Sequence, residues 1–119
     1  MMKKLISWIE IPATDFEKAV DFYSTVFNIK FEVVNCGEEK MAYFPGGEGA
    51  ISKAPGFEPS RNGVLVSFDT DGKLNAVLDK VQKSGGEIVT PRTKIDAEGR
   101  GYFAIVVDCE GNKIGLYED

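Results

Sequence analysis

The stretch "SWIEIPATDFEKAVDFYSTVF", residues 7–27, decides how this chain is read. Its opening belongs to a segment, residues 5–12, that alternates as a strand does. Ile9 and Ile11 project to one side, Trp8 and Glu10 to the other. Thr14 followed by Glu17 forms a capping box, in which each side chain satisfies a free backbone N–H at a helix start. Phe16, Ala19, Val20, Tyr23, Val26 and Phe27 then recur with a helical period, and Asn28 suits a left-handed stop. The stretch therefore predicts a strand that runs through a capped turn into an amphipathic helix.

Working outward, strand-like pieces follow at 30–35, 41–44 and 49–53, separated by the turns "NCGEEK" and "PGGEG". "APGFEPSRN", residues 54–62, reads as a linker, and after it the plan repeats. "VLVSFD" at 64–69 is strand, and Asp71 is placed to cap a helix with apolar positions Leu74, Val77, Leu78 and Val81. Gly85 and Gly86 end that helix, and further strands are expected at 87–91, 102–107 and 113–118. Gly111 is free to take a positive φ in the hairpin turn "DCEGN". The order is β-α-β-β-β twice: repeat one about 5–53, repeat two about 63–119, within a single domain of residues 1–119. Two such units can curl their sheets around a shared cleft, with the helices outside.

Composition narrows the function classes. Fourteen basic against nineteen acidic residues give a net charge of −5, with no basic stripe to favour nucleic acid. No apolar run reaches the roughly 20 residues of a membrane helix, and Glu10 interrupts the apolar stretch near the start, which argues against a signal peptide. A cytoplasmic location is expected. Cys36 and Cys109 lack zinc-type spacing and are expected as free thiols. The chain contains no histidine.

The D-x-x-x-A-x-x-FY element from Asp15 to Tyr23 and the D-x-x-G-N turn from Asp108 to Asn112, on this tandem plan, resemble the vicinal oxygen chelate superfamily. That superfamily includes glyoxalase I, the bleomycin-resistance proteins and the extradiol dioxygenases. The resemblance covers nearly the whole chain. It implies an α+β fold of two tandem βαβββ modules forming a curved eight-stranded half-barrel cleft, and a homodimer. In metal-binding members, the first and last strands of each repeat each carry one His, Glu or Gln ligand. Those positions fall here on Trp8, near Ser52, near Gly63 and on Gly115. An indole N–H only donates, a serine hydroxyl is a poor ligand, and glycine has no side chain. A metal-free cleft is expected, with no cofactor.

Alternation then assigns the cleft floor to Trp8, Glu10, Ser52, Leu65, Ser67, Gly115 and Tyr117. Ile9, Ile11, Val64, Val66, Phe68, Ile114 and Leu116 are assigned to the helix side. Tyr43 and Tyr102, on the third strand of each repeat, are candidate wall residues, or else packing residues. Trp8 either stacks on a flat or cationic ligand or fills space. Glu10 is the first candidate for a general base or a counter-ion, against the plainer alternative of a solvated strand acid. Residues 90–101 could form a flap whose Arg92 and Arg100 grip an anion, or could simply carry solvated loop charge. Two functions follow. One is a small organic ligand held between the modules, with sequestration as in the bleomycin-resistance proteins. The other is a lactoylglutathione-lyase-like lyase or isomerase acting on a small carbonyl compound, with Glu10 as base. A third possibility is a subunit that binds another protein through an apolar exposed patch.

Overall fold

A computed structural model describes residues 5–119. The first repeat contains strand β1 (Ile9–Pro12), helix α1 (Phe16–Phe27) and strands β2 (Glu32–Cys36), β3 (Glu39–Tyr43) and β4 (Gly49–Lys53). The second contains β5 (Ser67–Asp69), α2 (Leu74–Lys83), β6 (Glu87–Lys94), β7 (Tyr102–Val107) and β8 (Lys113–Glu118). Each repeat makes a four-stranded sheet, ordered β1-β4-β3-β2 and β5-β8-β7-β6. The first strand of each runs parallel to the last, and the remaining pairs are antiparallel. The tandem βαβββ plan is thus present. The eight strands form two separate sheets rather than one continuous ladder, because β1 and β5 each pair on one edge only. No described helix is long and apolar enough to cross a membrane.

The two first strands are shorter than alternation suggested. β4 begins at Gly49, opposite Ile9, so residues 5–8 have no rung to join. The N–H of Lys113 goes to Ser60 O rather than to residues 63–66. Leu5, Ile6, Val64 and Leu65 are consequently exposed, and Val64 is solvent-facing rather than part of the core.

Helix starts also differ from expectation. Asp15, in extended conformation, is the cap of α1 and accepts from Lys18 N. The Thr14 N–H and hydroxyl and the Asp15 N–H instead reach Glu110 Oε1, in the turn between β7 and β8. A distant carboxylate therefore neutralises the positive end of α1. At α2, Asp71 adopts φ 53° and Lys73 occupies the cap position without a side-chain bond. Glu118 Oε1 accepts from Leu74 N in its place. Asn28 is left-handed at φ 53°, and Gly111 has φ 101°, as the sequence predicts.

One apolar core draws on both repeats. Phe68 of β5 stacks on Phe27 of α1 at 4.7 Å and meets Phe44 at 5.8 Å. Tyr23, fully buried, donates its hydroxyl to Asp108 Oδ2 at 2.6 Å. Asp108 also accepts from Glu110 N, Asn112 N and Asn112 Nδ2. Asn112 in turn donates to Pro12 O and accepts from Ser60 N. This network ties α1, β1 and the linker to the β7–β8 turn.

Removal of Asp108 strands three buried donors at once, so Asp108→Ala is expected to cost about 3 kcal/mol, whereas Tyr23→Phe costs about 1 kcal/mol, by urea denaturation. A Cβ at Gly49 would lie 1.9 Å from Ile9 O, a backbone atom that cannot swing aside. Gly49→Ala is therefore expected to lower stability by about 2–4 kcal/mol in the same assay.

Candidate functional site in the cleft between the repeats

The first sheet turns Trp8, Glu10, Tyr43 and Ser52 to one side. Glu10 lies opposite Ala50, and Ala50 opposite Tyr43, so these share a face. The Trp8 and Tyr43 rings meet edge-on, with centroids 5.7 Å apart and planes at 72°. Ser52, buried, donates its Oγ–H to Glu10 Oε1 at 2.8 Å. That bond fixes the carboxylate while leaving Oε2 without a hydrogen bond among the described residues.

The second sheet contributes Ser67, opposite Gly115, with Tyr117 two residues further along β8. The Tyr117 hydroxyl donates to Asp119 Oδ1 at 2.7 Å, and this bond, followed by burial, raises its pKa. Leu65 precedes β5 and is half-exposed. A cavity of about 610 Å³ runs between the edges of β1 and β5. It is bordered by Glu10, Leu65, Ser67 and Lys113, with Ile6, Phe57 and Val64 supplying apolar wall. This volume falls within the roughly 300–1,000 Å³ of small-molecule sites. Lys113 was not singled out from sequence, although it lies two residues before Gly115 on the same alternation. Phe103, opposite Tyr117, was missed for the same reason.

Tyr102 lies elsewhere. It pairs with Glu118, faces the helix side and packs against the core, with the Arg92 guanidinium 3.5 Å above its ring centre. The wall position on β7 belongs to its neighbour Phe103, because the ladder register puts odd-numbered residues towards the cleft. The expected flap is also shorter: residues 90–94 are strand, paired with β7. Arg92 is not free to grip an anion, since its Nε donates to Glu118 Oε2 at 2.7 Å. The hydrogen bond from Leu74 N, then that from Arg92, lowers the Glu118 pKa below the usual glutamate value.

The ladders refine the comparison between repeats. Glu10 pairs with Ala50 and Ser67 pairs with Gly115, which makes Ala50 the counterpart of Gly115 and Leu65 the counterpart of Trp8. The two positions taken from sequence, Ser52 and Gly63, are each displaced by two residues. Trp8, Ala50, Leu65 and Gly115 offer no metal-binding atom. Among the described residues no cluster of three or more His, Cys, Asp or Glu side chains converges. This donor set does not fit the metal of the metal-binding relatives.

The family model for the Glyoxalase/Bleomycin resistance protein/Dioxygenase superfamily matches residues 5–116. The chain belongs to this superfamily. It is 40% identical over 91 residues to a glyoxylase-like domain-containing protein of Didymella fabae, covering 69% of each. It is 28% identical over an alignment of 122 residues to a longer Mycobacterium bovis protein with a glyoxylase name, CFP32, and spans 44% of that protein. In fold, the superfamily chain resembles a glyoxylase/bleomycin resistance protein/dioxygenase domain from Frankia at TM-score 0.75 and 17% identity, covering 98% of both chains. It also resembles the fosfomycin resistance protein FosX of Listeria monocytogenes at TM-score 0.69 and 17% identity, covering 100% of this chain and 93% of FosX.

Two measurements check the chemistry of this region. Burial, then the charges of Asp108 and Glu110, pushes the Cys109 thiol up to about 11, while Cys36 is exposed. A thiol reagent near pH 8 is expected to modify Cys36 quickly and Cys109 much more slowly, as peptide mapping would show. Because the Glu118 pKa is lowered in the folded state, its contribution is present above the ordinary glutamate range and disappears as pH falls through the folded value. Glu118→Gln is expected to flatten the acid limb of a Tm-against-pH profile.

Proposed function

We propose that this superfamily chain is a metal-free small-molecule-binding protein that holds an organic ligand in the cleft between its repeats. The observation that carries the reading is the convergence of Glu10, Ser67 and Lys113 on one cavity at the junction of the repeats. The Trp8–Tyr43 ring pair lies on the same sheet face as Glu10 but outside the lining of that cavity. Its ring planes, at 72°, give a flat ligand one face and one edge to pack against. Glu10, steadied by Ser52, and Lys113 can orient polar groups of either sign. Sequestration is the simplest use of such a cleft. In this reading the protein acts in the cytoplasm as a homodimer, without nucleic acid, membrane or cofactor.

Catalysis is the second reading, favoured by the fixed Glu10 and by Lys113 on the same cavity. Glu10 would remove the proton next to a carbonyl, and the Lys113 ammonium would stabilise the oxygen that gains charge. That reaction is a lyase or isomerase step on a small carbonyl compound, as the glyoxalase likeness suggests.

Thermal unfolding with bleomycin and with phenyltrimethylammonium as probes tests the binding reading. A saturable rise in Tm is expected, lost in Trp8→Ala and weakened about tenfold in affinity in Glu10→Gln. Stoichiometric metal in the purified protein, or saturable stabilisation by Ni²⁺, Zn²⁺, Fe²⁺ or Mn²⁺, would overturn the metal-free assignment. Turnover of the methylglyoxal–glutathione hemithioacetal that falls at least about 100-fold in Glu10→Gln would favour catalysis.

A further inference from the structure

The two junctions between a turn and a neighbouring helix start are built unequally. From the corresponding rungs Tyr43↔Ala50 and Ile105↔Gly115, the β3–β4 hairpin closes at once through Phe44 N to Gly49 O. The β7–β8 hairpin continues through Val106↔Ile114 and Val107↔Lys113 before Asp108 closes it. The longer hairpin reaches α1, and its Asp108, Glu110 and Asn112 fill that junction. The shorter one delivers no such group to α2, whose cap position, Lys73, has no side-chain bond. What remains is a crevice of about 650 Å³, on the helix side of the sheets and so opposite the cleft described above.

Its floor is aromatic and aliphatic: Phe27, Phe44 and Phe68, with Ile9 and Val77 beside them. Phe27, Phe44, Phe68 and Ile9 pack on the core but are only partly buried, since this crevice opens over them. On the rim stand Glu48 from the β3–β4 turn and Asp71 just after β5, while Asp69, paired with Tyr117, turns towards the cleft face and accepts from Asp71 N. Lys73 and Lys80 border it from α2. Among the described residues none of these five takes part in an ion pair. Lysine stems are long enough to turn their ammonium groups out to water, whereas the acids sit on short stems or in a turn. Apolar volume at the junction of two units, edged by a few convergent charges, has the character of a ligand site.

We infer that this crevice is a second small-molecule site, selective for a compact aromatic or branched aliphatic body carrying one ammonium group. The body lies on the phenylalanine floor and the ammonium meets the Glu48 and Asp71 carboxylates. The crevice opens between the helices, whereas the Glu10 cavity opens along the strand edges, and the two share Ile9, Ile11, Val66 and Ser67 at the gap between β1 and β5.

The test is a ¹H–¹⁵N NMR titration of the full chain with 2-phenylethylammonium chloride, set against 3-phenylpropionate as the oppositely charged probe. A probe this small is expected to bind with Kd on the order of 1 mM. Saturable shifts are expected at Asn28, Ile29, Ala76 and Val77, with the Trp8 indole N–H unmoved. Ala76 is exposed at the crevice wall, so Ala76→Phe fills the space without entering the core and should abolish the shifts. The double variant Glu48→Gln, Asp71→Asn should weaken binding at least about threefold while keeping the apolar floor. Absence of saturable shifts at these amides, or retained binding in Ala76→Phe, would overturn the site. Equal or tighter binding of the carboxylate probe would overturn the assigned charge.

Discussion

The Asp108 carboxylate is the interaction on which the arrangement of the two repeats rests. It is buried, and it receives four hydrogen bonds: from the Tyr23 hydroxyl, two backbone N–H groups and the Asn112 amide. An ionised carboxylate can occupy an apolar interior only when its oxygens are satisfied in this way. The same charge contributes to raising the Tyr23 pKa well above the usual tyrosine range, after burial itself, so the phenol stays a donor. Because Tyr23 sits on α1 and Asp108 in the second repeat, the bond that satisfies the charge also fixes one repeat against the other.

From that anchor the cleft follows. Asn112, held by Asp108, reaches across to the Pro12 carbonyl at the end of β1, and Glu110 holds the start of α1. The end of β1 is thereby brought against the start of β8, and Glu10, Ser67 and Lys113 come to border one cavity. Among the described residues no ladder joins the two sheets, so side-chain hydrogen bonds at one end, together with the shared phenylalanine cluster, set the width of the gap. The same unequal construction leaves the opposite junction open.

The polar pairs divide into structural and chemically available groups. Arg92 and Glu118 are committed to each other and to the first turn of α2, and burial with the neighbouring carboxylates raises the Cys109 thiol. Glu10 differs: among the described residues it takes one side-chain hydrogen bond, from Ser52, which orients its carboxylate. The four strand positions that correspond to the ligand positions of metal-binding relatives hold Trp8, Ala50, Leu65 and Gly115, whose side chains offer no atom of the kind that holds such an ion.

Much of this was legible in the linear pattern. Alternation and helical periodicity are local properties, and they located both repeats, the two helices, the left-handed Asn28 and the inward face of Trp8, Glu10 and Ser67. What depends on register was not. Tyr102 and Phe103 are adjacent aromatics, and only the pairing of Phe103 with Tyr117 decides which one faces the cleft. Ser52 and Ala50 were likewise interchangeable until the β1–β4 ladder set them. Helix capping by Glu110, from a residue far along the chain, carries no local signature, whereas the Thr14–Glu17 box matched a local rule that the fold did not use. The sequence by itself determined the two βαβββ units and the absence of histidine. Which side chains meet across their junction was decided only in three dimensions, because contacts between distant segments depend on hairpin length and strand register, not on neighbouring residues.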